Sequence, residues 1–160
     1  AAFAHLAKQH PEVQLVYPVH LSPYVQEIAH RYLDGLDNVL LTEPLGVTDM
    51  HNLLARSYMV MTDSGGLQEE APALGKPVLV LRRETERPEA VAAGTVRVIG
   101  TEEAVIIAEA EELLCGGERY QSMAHAVNPY GDGFACRRIV DDLLFFLGET
   151  DKPAEDFCAQ

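Results

Sequence analysis

The chain has 160 residues, of which 48% are hydrophobic and 23% charged, a composition typical of one folded globular domain rather than a disordered or collagen-like chain. Its formal net charge of −13 disfavours nucleic acid and anionic membrane surfaces as partners, because nothing offsets phosphate repulsion. Three cysteines without a Cys-x-x-Cys pair and six scattered histidines argue against a disulfide scaffold or a metal site, and they fit a reducing cytoplasm.

Five short apolar runs alternate with helical segments over the first 99 residues. The runs predict strands at 13–17, 39–41, 58–61, 78–81 and 96–99. The other segments predict helices at 1–9, 24–33, 49–56, 67–74 and 88–93. Because strands that alternate with helices pair in parallel through right-handed crossovers, we predict an α/β fold: a Rossmann-like parallel sheet with helices on both faces.

The remaining sequence predicts helices only, at 102–115, 120–127 and 135–147. In the first of these we expect a buried stripe of Ala104, Ile107, Ala108 and Leu114, and in the last a buried stripe of Ile139, Leu143 and Phe146. Residues 1–147 then form one lobe, and residues 148–160 form a polar tail that frays. Residues 1–6 read like the middle of a helix, so we expect the chain to be part of a longer protein.

One loop is the strongest candidate for binding a ligand. In open parallel sheets ligands bind at the carboxyl ends of the strands, and there a strand leads directly into a helix through Asp63-Ser64-Gly65-Gly66. The two glycines allow a close backbone approach, and the helix start offers unpaired N–H groups, so the turn suits a diphosphate. It matches neither the dinucleotide fingerprint nor the Walker loop. The alternative is a tight turn in which Asp63 or Ser64 caps the helix.

Charged residues flank this turn. Glu70 follows Gly66 by four residues, so its carboxylate leans back toward the turn, where it would suit the two hydroxyls of a ribose. The alternative is a first-turn glutamate that complements the helix dipole, a role that fits Glu69 better. Three arginines follow the strand at 78–81, and they are suited either to a phosphate or to solvated pairs with neighbouring glutamates: Arg82, Arg83 and Arg87.

These motifs strongly resemble the non-hydrolysing UDP-N-acetylglucosamine 2-epimerases of bacteria. The central motif is Thr62-Asp63-Ser64-Gly65-Gly66-Leu67-Gln68-Glu69-Glu70-Ala71-Pro72. The likeness continues, in the expected order, at 17–21, 74–81, 85–90, 93–95 and 128–133. The resemblance implies the C-terminal lobe of a glycosyltransferase-B architecture, with the active site between two lobes. It also implies conversion of UDP-GlcNAc to UDP-ManNAc by elimination and re-addition of UDP, without a cofactor or a metal.

The resemblance assigns the UDP-binding residues of the family to Ser64, Gly65, Gly66, Glu70 and Arg87. The first three match its diphosphate-binding turn, the glutamate matches its ribose ligand, and the arginine lies at the nucleotide end of the cleft. His20 matches a histidine that some members use for a second, regulatory UDP-GlcNAc; the alternative is a loop histidine with local partners. Met50 stands where some members place an aromatic ring on the uracil, and methionine packs on a base without stacking.

No catalytic residue is assigned to this chain, because the acid–base carboxylates of the family lie in the N-terminal lobe. We therefore expect the isolated chain to be inactive, to bind UDP weakly and to need that lobe as a partner. The resemblance further implies a homodimer at full length, and the cysteine usage favours a cytoplasmic location. Two alternatives stay open: the C-terminal lobe of a nucleotide-sugar glycosyltransferase, which residues 64–72 and 85–90 fit less well, and a non-catalytic UDP-sugar-binding module.

Overall fold

The computed structural model describes residues 1–157, so Cys158 and the end of the predicted tail lie outside the described residues. Within them the strands are β1 (Leu15–Pro18), β2 (Val39–Thr42), β3 (Val60–Thr62), β4 (Val78–Val80) and β5 (Val96–Val98). The helices are α1 (Ala2–Gln9), α2 (Pro23–Leu33), α3 (Val47–Arg56), α4 (Leu67–Ala73), α5 (Pro88–Ala93), α6 (Glu103–Leu114), α7 (Glu118–Ala124) and α8 (Ala135–Phe146). Every predicted element is present, and the largest difference in bounds is at α7.

All strand pairs are parallel, which confirms the α/β fold. The strands form two sheets, β1-β2 and β3-β4-β5, rather than one continuous sheet over the described residues. In the second sheet Thr62 pairs with Val80, so the chain leaves β3 and β4 side by side at one edge. The loops that follow these two strands therefore start as neighbours.

The central strand β4 shows why helices cover both faces of its sheet. Val78, Leu79 and Val80 are all fully buried. Successive side chains of a strand point to opposite faces, and two separate cores result. Leu79 packs with residues of α1 and α6, whereas Val78 and Val80 pack with residues of α3, α4 and α5. The predicted arrangement of helices on both faces is therefore confirmed.

Helix α1 connects the two sheets. Its residues Ala2 and Leu6 belong to the same core as Leu79 of β4. On another side, the ring of Phe3 meets Tyr17 of β1 edge to face, with the ring centroids 6.4 Å apart. The position of β1 relative to β4 thus depends on a helix that packs against both.

The predicted buried stripe of α6 is wrong. The structure buries a different set of residues, namely Ile106, Ala110 and Leu113. Ala104 is exposed, and apolar residues occupy several sides of this helix, including the consecutive run Val105, Ile106 and Ile107. Periodicity alone fits more than one stripe on such a helix, and contact with Leu79 of β4 decides which one is buried.

The prediction for α8 is also wrong. Ile139, Leu143 and Phe146 share one face as expected, but they are 58%, 55% and 84% exposed, and no residue of α8 is buried. Nothing else in residues 1–157 covers this face. No helix within residues 1–157 is both long enough and apolar enough to cross a membrane. The apolar side of α8 is therefore an uncovered surface.

An ion pair fixes the start of α8. Arg138 donates to both carboxylate oxygens of Asp132, at 2.8 and 2.7 Å, and Asp132 also accepts the N–H of Phe134 at 3.0 Å. These bonds hold the pKa of the Asp132 carboxyl well below its usual range, the one from Arg138 contributing most. Beyond α8, Ala154 donates its N–H to Asp142 at 2.8 Å. The fraying predicted for residues 148–160 stays a prediction.

A histidine joins the end of α1 to α6. His10 Nδ1 lies 3.0 Å from Glu12 Oε1, and His10 Nε2 lies 2.8 Å from Glu111 Oε2. Hydrogen bonds to Glu12 and then to Glu111 raise the pKa of His10 above its ordinary value of 6.5. The stabilisation is therefore present in full below the unfolded-state pKa, and it is lost as the pH rises through the folded-state pKa.

We therefore expect His10→Gln to lower the free energy of unfolding more at about pH 5.5 than at about pH 8.5. Urea unfolding at the two pH values measures this difference. His5→Gln, which removes an exposed histidine from the same helix, is the control. An equal loss at both pH values would show that the two carboxylates do not stabilise protonated His10.

Candidate functional site

The turn between β3 and α4 offers two unpaired backbone donors. Thr62 Oγ1 accepts the N–H of Ser64 at 3.0 Å, so this amide is already used. No acceptor within residues 1–157 takes the N–H of Gly65 or Gly66. Helix α4 begins after Gly66 without a side-chain cap, so the alternative in which Asp63 or Ser64 caps it is wrong. The turn can thus donate two backbone hydrogen bonds to a ligand.

Charged side chains surround the two glycines. A Cβ atom at Gly65 would lie 2.6 Å from Glu86 Oε1 and 3.8 Å from Arg87 Nη2. A Cβ atom at Gly66 would lie 3.4 Å from Glu70 Oε1 and 3.9 Å from Ser64 Oγ. The structure therefore brings together the five residues predicted for this site: Ser64, Gly65, Gly66, Glu70 and Arg87.

The carboxylate of Glu70 has the orientation expected from the sequence. It leans back over Gly66, and its Oε2 lies 3.0 Å from Nε2 of His51 in α3. Its side chain is 44% exposed, so a ligand can reach it. His51 was not predicted from the sequence, and it limits the orientations of this carboxylate. Met50, beside it, packs against the core under β4.

Arg87 already has a partner in this structure. Its Nε donates to Glu69, and this bond raises the pKa of the guanidinium above its usual range. Arg82 donates to Glu86 at 2.8 Å, so the predicted arginine–glutamate pairs are present. These side chains remain partly exposed. An anionic ligand that reaches Arg87 would therefore replace the Glu69 carboxylate as the partner of the guanidinium.

His20 lies in the loop after β1, and it is exposed. Its Nδ1 accepts the N–H of Ser22 at 3.1 Å, and no contact within residues 1–157 joins it to the glycine turn. Burial, and after it the charge of Asp63, raises the pKa of Tyr17 in β1. His20 therefore lies just beyond the carboxyl end of β1 and outside the glycine turn.

Two side chains that were not predicted from the sequence, Gln68 and Thr85, hold this site together. Gln68 is fully buried; its Nε2 donates to the carbonyl of Ser64 at 3.2 Å, and its Oε1 accepts the hydroxyl of Thr85 at 2.5 Å. The sequence contained a sign of this role, because Gln68 precedes Ala71 by three residues and a polar side chain on the buried side of a helix needs hydrogen-bond partners.

The residues that the structure describes, 1–157, contain no group of three side chains that could together hold a metal ion.

These features define the class of the protein: a Rossmann-like α/β domain of the glycosyltransferase-B type, with a donor-rich turn at the carboxyl edge of its sheet. A comparison with family models identifies the particular family. The model described as UDP-N-acetylglucosamine 2-epimerase matches residues 1–144. The chain therefore belongs to the UDP-N-acetylglucosamine 2-epimerase family, which confirms the resemblance and disfavours the glycosyltransferase alternative.

Relatives of known name agree with this assignment. The chain is 51% identical over 156 residues to the UDP-N-acetylglucosamine 2-epimerase of Bacillus subtilis, covering 98% of this chain and 41% of that protein. It is 51% identical over 142 residues to the enzyme of the same name from Escherichia coli K12, covering 89% of this chain and 38% of that protein. The chain thus spans about two fifths of the length of these relatives.

Solved structures show the same fold. The S. aureus MnaA–UDP co-structure matches with a TM-score of 0.92 at 46% identity, over 98% of this chain and 43% of that one. The UDP-GlcNAc 2-epimerase of Neisseria meningitidis, bound to UDP-GlcNAc, matches with a TM-score of 0.83 at 46% identity, over 90% of this chain and 40% of that one. Both solved structures therefore contain a region with the fold of this chain.

We expect Thr62→Val to lower the free energy of unfolding by about 1 kcal/mol, because it removes the acceptor of the Ser64 N–H at a nearly buried position. Urea unfolding of the 160-residue chain measures the loss. Thr42→Val is the matched control, since that hydroxyl donates only to the carbonyl of the next residue, Glu43, and is less buried. Equal losses in both variants would contradict a specific role for Thr62 in the turn.

Proposed function

We propose that the chain is the C-terminal, UDP-binding part of an epimerase that interconverts UDP-GlcNAc and UDP-ManNAc. One observation supports this proposal most directly. In this chain, which belongs to the epimerase family, the N–H groups of Gly65 and Gly66 are unpaired. The hydroxyl of Ser64, the carboxylate of Glu70 and the guanidinium of Arg87 lie beside them. Relatives of the chain have been solved with UDP and with UDP-GlcNAc, which supports the choice of ligand.

The turn binds the diphosphate in this proposal. The N–H groups of Gly65 and Gly66 and the hydroxyl of Ser64 donate to phosphate oxygens, while Arg87 leaves Glu69 and pairs with the phosphate. Local geometry has to provide this attraction, because a chain with a net charge of −13 repels an anion at long range. The absence of a side chain at Gly65 matters because a Cβ atom there would lie 2.6 Å from Glu86 Oε1, and it would also touch the guanidinium of Arg87 at 3.8 Å.

Glu70 binds the ribose in this proposal. A carboxylate next to a phosphate would be repelled, whereas two vicinal hydroxyls can both donate to its two oxygens. Glu70 lies one helical turn beyond Gly66, and its carboxylate leans back to the edge of the turn, where the ribose would join the diphosphate. The contact from His51 restricts the carboxylate before the ligand arrives. The exposure of Glu70 leaves it accessible to the hydroxyls.

The chemistry then divides between this chain and the rest of the enzyme. In the elimination step, C2 of the sugar loses a proton, the C1–O bond breaks, and UDP leaves with the electron pair as a glucal forms. In the return step, UDP adds back to C1 and a proton adds to the opposite face of C2, which inverts the configuration at C2. The donors of the turn and Arg87 stabilise the charge that develops on the leaving UDP. Proton transfer at C2 falls to groups outside this chain.

An N-terminal lobe is the partner in this proposal. The chain spans about two fifths of its relatives, and its helix α8 exposes an apolar face that nothing in residues 1–157 covers. This surface supports packing against the remaining part of the enzyme. The homodimer and the cytoplasmic location stay predictions about the full-length protein.

We expect Glu70→Gln to weaken UDP binding by about 1–3 kcal/mol, because the amide replaces one charged acceptor of the ribose hydroxyls. The same variant should bind inorganic pyrophosphate as tightly as the unmodified chain, since pyrophosphate has no ribose. Titration calorimetry with both ligands measures the difference.

Two further variants serve as the positive and the negative control of this experiment. Gly65→Ala should weaken both ligands, because its methyl group would lie 2.6 Å from Glu86 Oε1 and 3.8 Å from Arg87 Nη2, in the space that the phosphates would enter. Glu118→Gln removes a glutamate from the first turn of α7 and should change neither affinity. If Glu70→Gln bound UDP normally, Glu70 would instead only complement the helix dipole.

A chimera tests the activity itself. We expect that this chain, replacing the matching segment of the Bacillus subtilis epimerase, will convert UDP-GlcNAc in heavy water to UDP-ManNAc with deuterium at C2. The 51% identity over 156 residues makes the replacement conservative. Mass spectrometry and proton NMR of the recovered nucleotide sugar detect the label.

The isolated chain is the control, and it should bind UDP without incorporating label, because the groups that move the proton are absent from it. A folded chimera that binds UDP and leaves C2 unlabelled would contradict the proposed function. It would favour a module that binds nucleotide sugars without catalysis.

A further inference from the structure

We infer that Gln68 is a positioning residue, which ties the glycine turn to the loop that carries Arg87 and so sets the spacing of the diphosphate contacts. The inference concerns the contacts between the two loops, and it rests on the proposed function only for the identity of the ligand. Gln68 does not touch the ligand in this scheme. It acts through the carbonyl of Ser64 and the hydroxyl of Thr85.

A continuous chain of hydrogen bonds links the two loops. Gln68 Nε2 donates to the carbonyl of Ser64 at 3.2 Å, and Gln68 Oε1 accepts the Thr85 hydroxyl at 2.5 Å. The Thr85 hydroxyl oxygen in turn accepts the backbone N–H of Arg87 at 3.1 Å. One carboxamide therefore connects the residue that begins the turn to the residue that supplies the guanidinium.

The loop needs such a connection because it has no regular structure of its own. Residues 81–87 lie between β4 and α5 as bends and irregular backbone. At its start, the carbonyl of Arg82 accepts the N–H of Gly100 at 2.9 Å. Beyond that point, Thr85 is the residue whose hydroxyl joins the loop to a buried side chain of α4. Without the Thr85 hydroxyl, the ion pair between Arg87 and Glu69 would still join this loop to α4, but in the proposed function that pair breaks when Arg87 turns to the ligand.

Burial makes the connection specific. Gln68 has no accessible surface, and removing either partner leaves a carboxamide group unpaired away from water, which is strongly unfavourable. Both ends of the carboxamide have matched partners, a carbonyl for the N–H and a hydroxyl for the oxygen. The two loops therefore have one preferred spacing before a ligand binds. Preorganisation of this kind increases affinity because less ordering is left to occur on binding.

The test uses Thr85 rather than Gln68, because a change at a fully buried position risks unfolding the chain. Thr85→Val keeps the shape and removes the hydroxyl, so it should weaken the binding of UDP and of pyrophosphate by about five- to tenfold. Thr85→Ser keeps the hydroxyl and should restore binding. Thr95→Val is the matched control: it removes a buried hydroxyl that donates to the carbonyl of Ala90, at 3.2 Å, away from the turn.

A double-mutant cycle separates positioning from general destabilisation. Arg87→Ala should weaken binding on its own, and adding Thr85→Val to it should weaken binding no further, because Thr85 acts through Arg87. Binding losses that simply add would overturn the inference. Normal binding by Thr85→Val, or weakened binding by Thr95→Val to the same degree, would overturn it as well.

Amide hydrogen exchange distinguishes a failure of the inference from a failure of the proposed function. If the unmodified chain bound neither UDP nor pyrophosphate, the proposed function would fail. Hydrogen exchange would still show whether the hydrogen bonds through Gln68 and Thr85 order the loop that carries Arg87. We expect the N–H of Arg87 to be protected in the unmodified chain and in Thr85→Ser and Thr95→Val, and to lose protection in Thr85→Val. Unchanged protection in Thr85→Val would overturn the inference.

Discussion

Burial of β4 on both of its faces is the constraint on which the other features depend. Its three residues have no accessible surface, so one helical layer must cover Leu79 and another must cover Val78 and Val80. Parallel pairing then aligns Val80 with Thr62, and the chain leaves both strands at the same edge. The glycine turn and the arginine loop meet because of this register, and no sequence motif could bring them together without it.

The chemistry at this edge is a balance of charges within an acidic chain. Each of two arginines already holds a glutamate, and the turn presents backbone donors that have no acceptor within residues 1–157. A diphosphate would be favoured over a carboxylate because it can accept from the turn and from Arg87 at once. An overall charge that repels anions and a local geometry that binds one are therefore compatible in one domain.

The secondary structure could be predicted from the sequence because its signals are local. The strands are short apolar runs, and helices α2, α4, α5, α6 and α8 each end within two residues of a glycine in the left-handed region, such as Gly75 with φ of 67° and Gly94 with φ of 80°. The buried side of α6 could not be predicted, because several of its sides are apolar. The division into two sheets and the exposure of α8 depend on contacts between distant segments, which periodicity does not describe. The hydrogen bond between Gln68 and Thr85 could not be predicted either, because it depends on the register of β3 and β4.

The uncovered side of α8 affects how the chain behaves in solution. Apolar patches on neighbouring molecules attract each other at short range, whereas a net charge of −13 keeps the molecules apart. Dissolved salt reduces the range of that repulsion to about 10 Å at 0.1 M and leaves the apolar attraction in place. Colloidal stability of the chain is consequently greatest in dilute buffer, and raising the ionic strength promotes self-association through this helix.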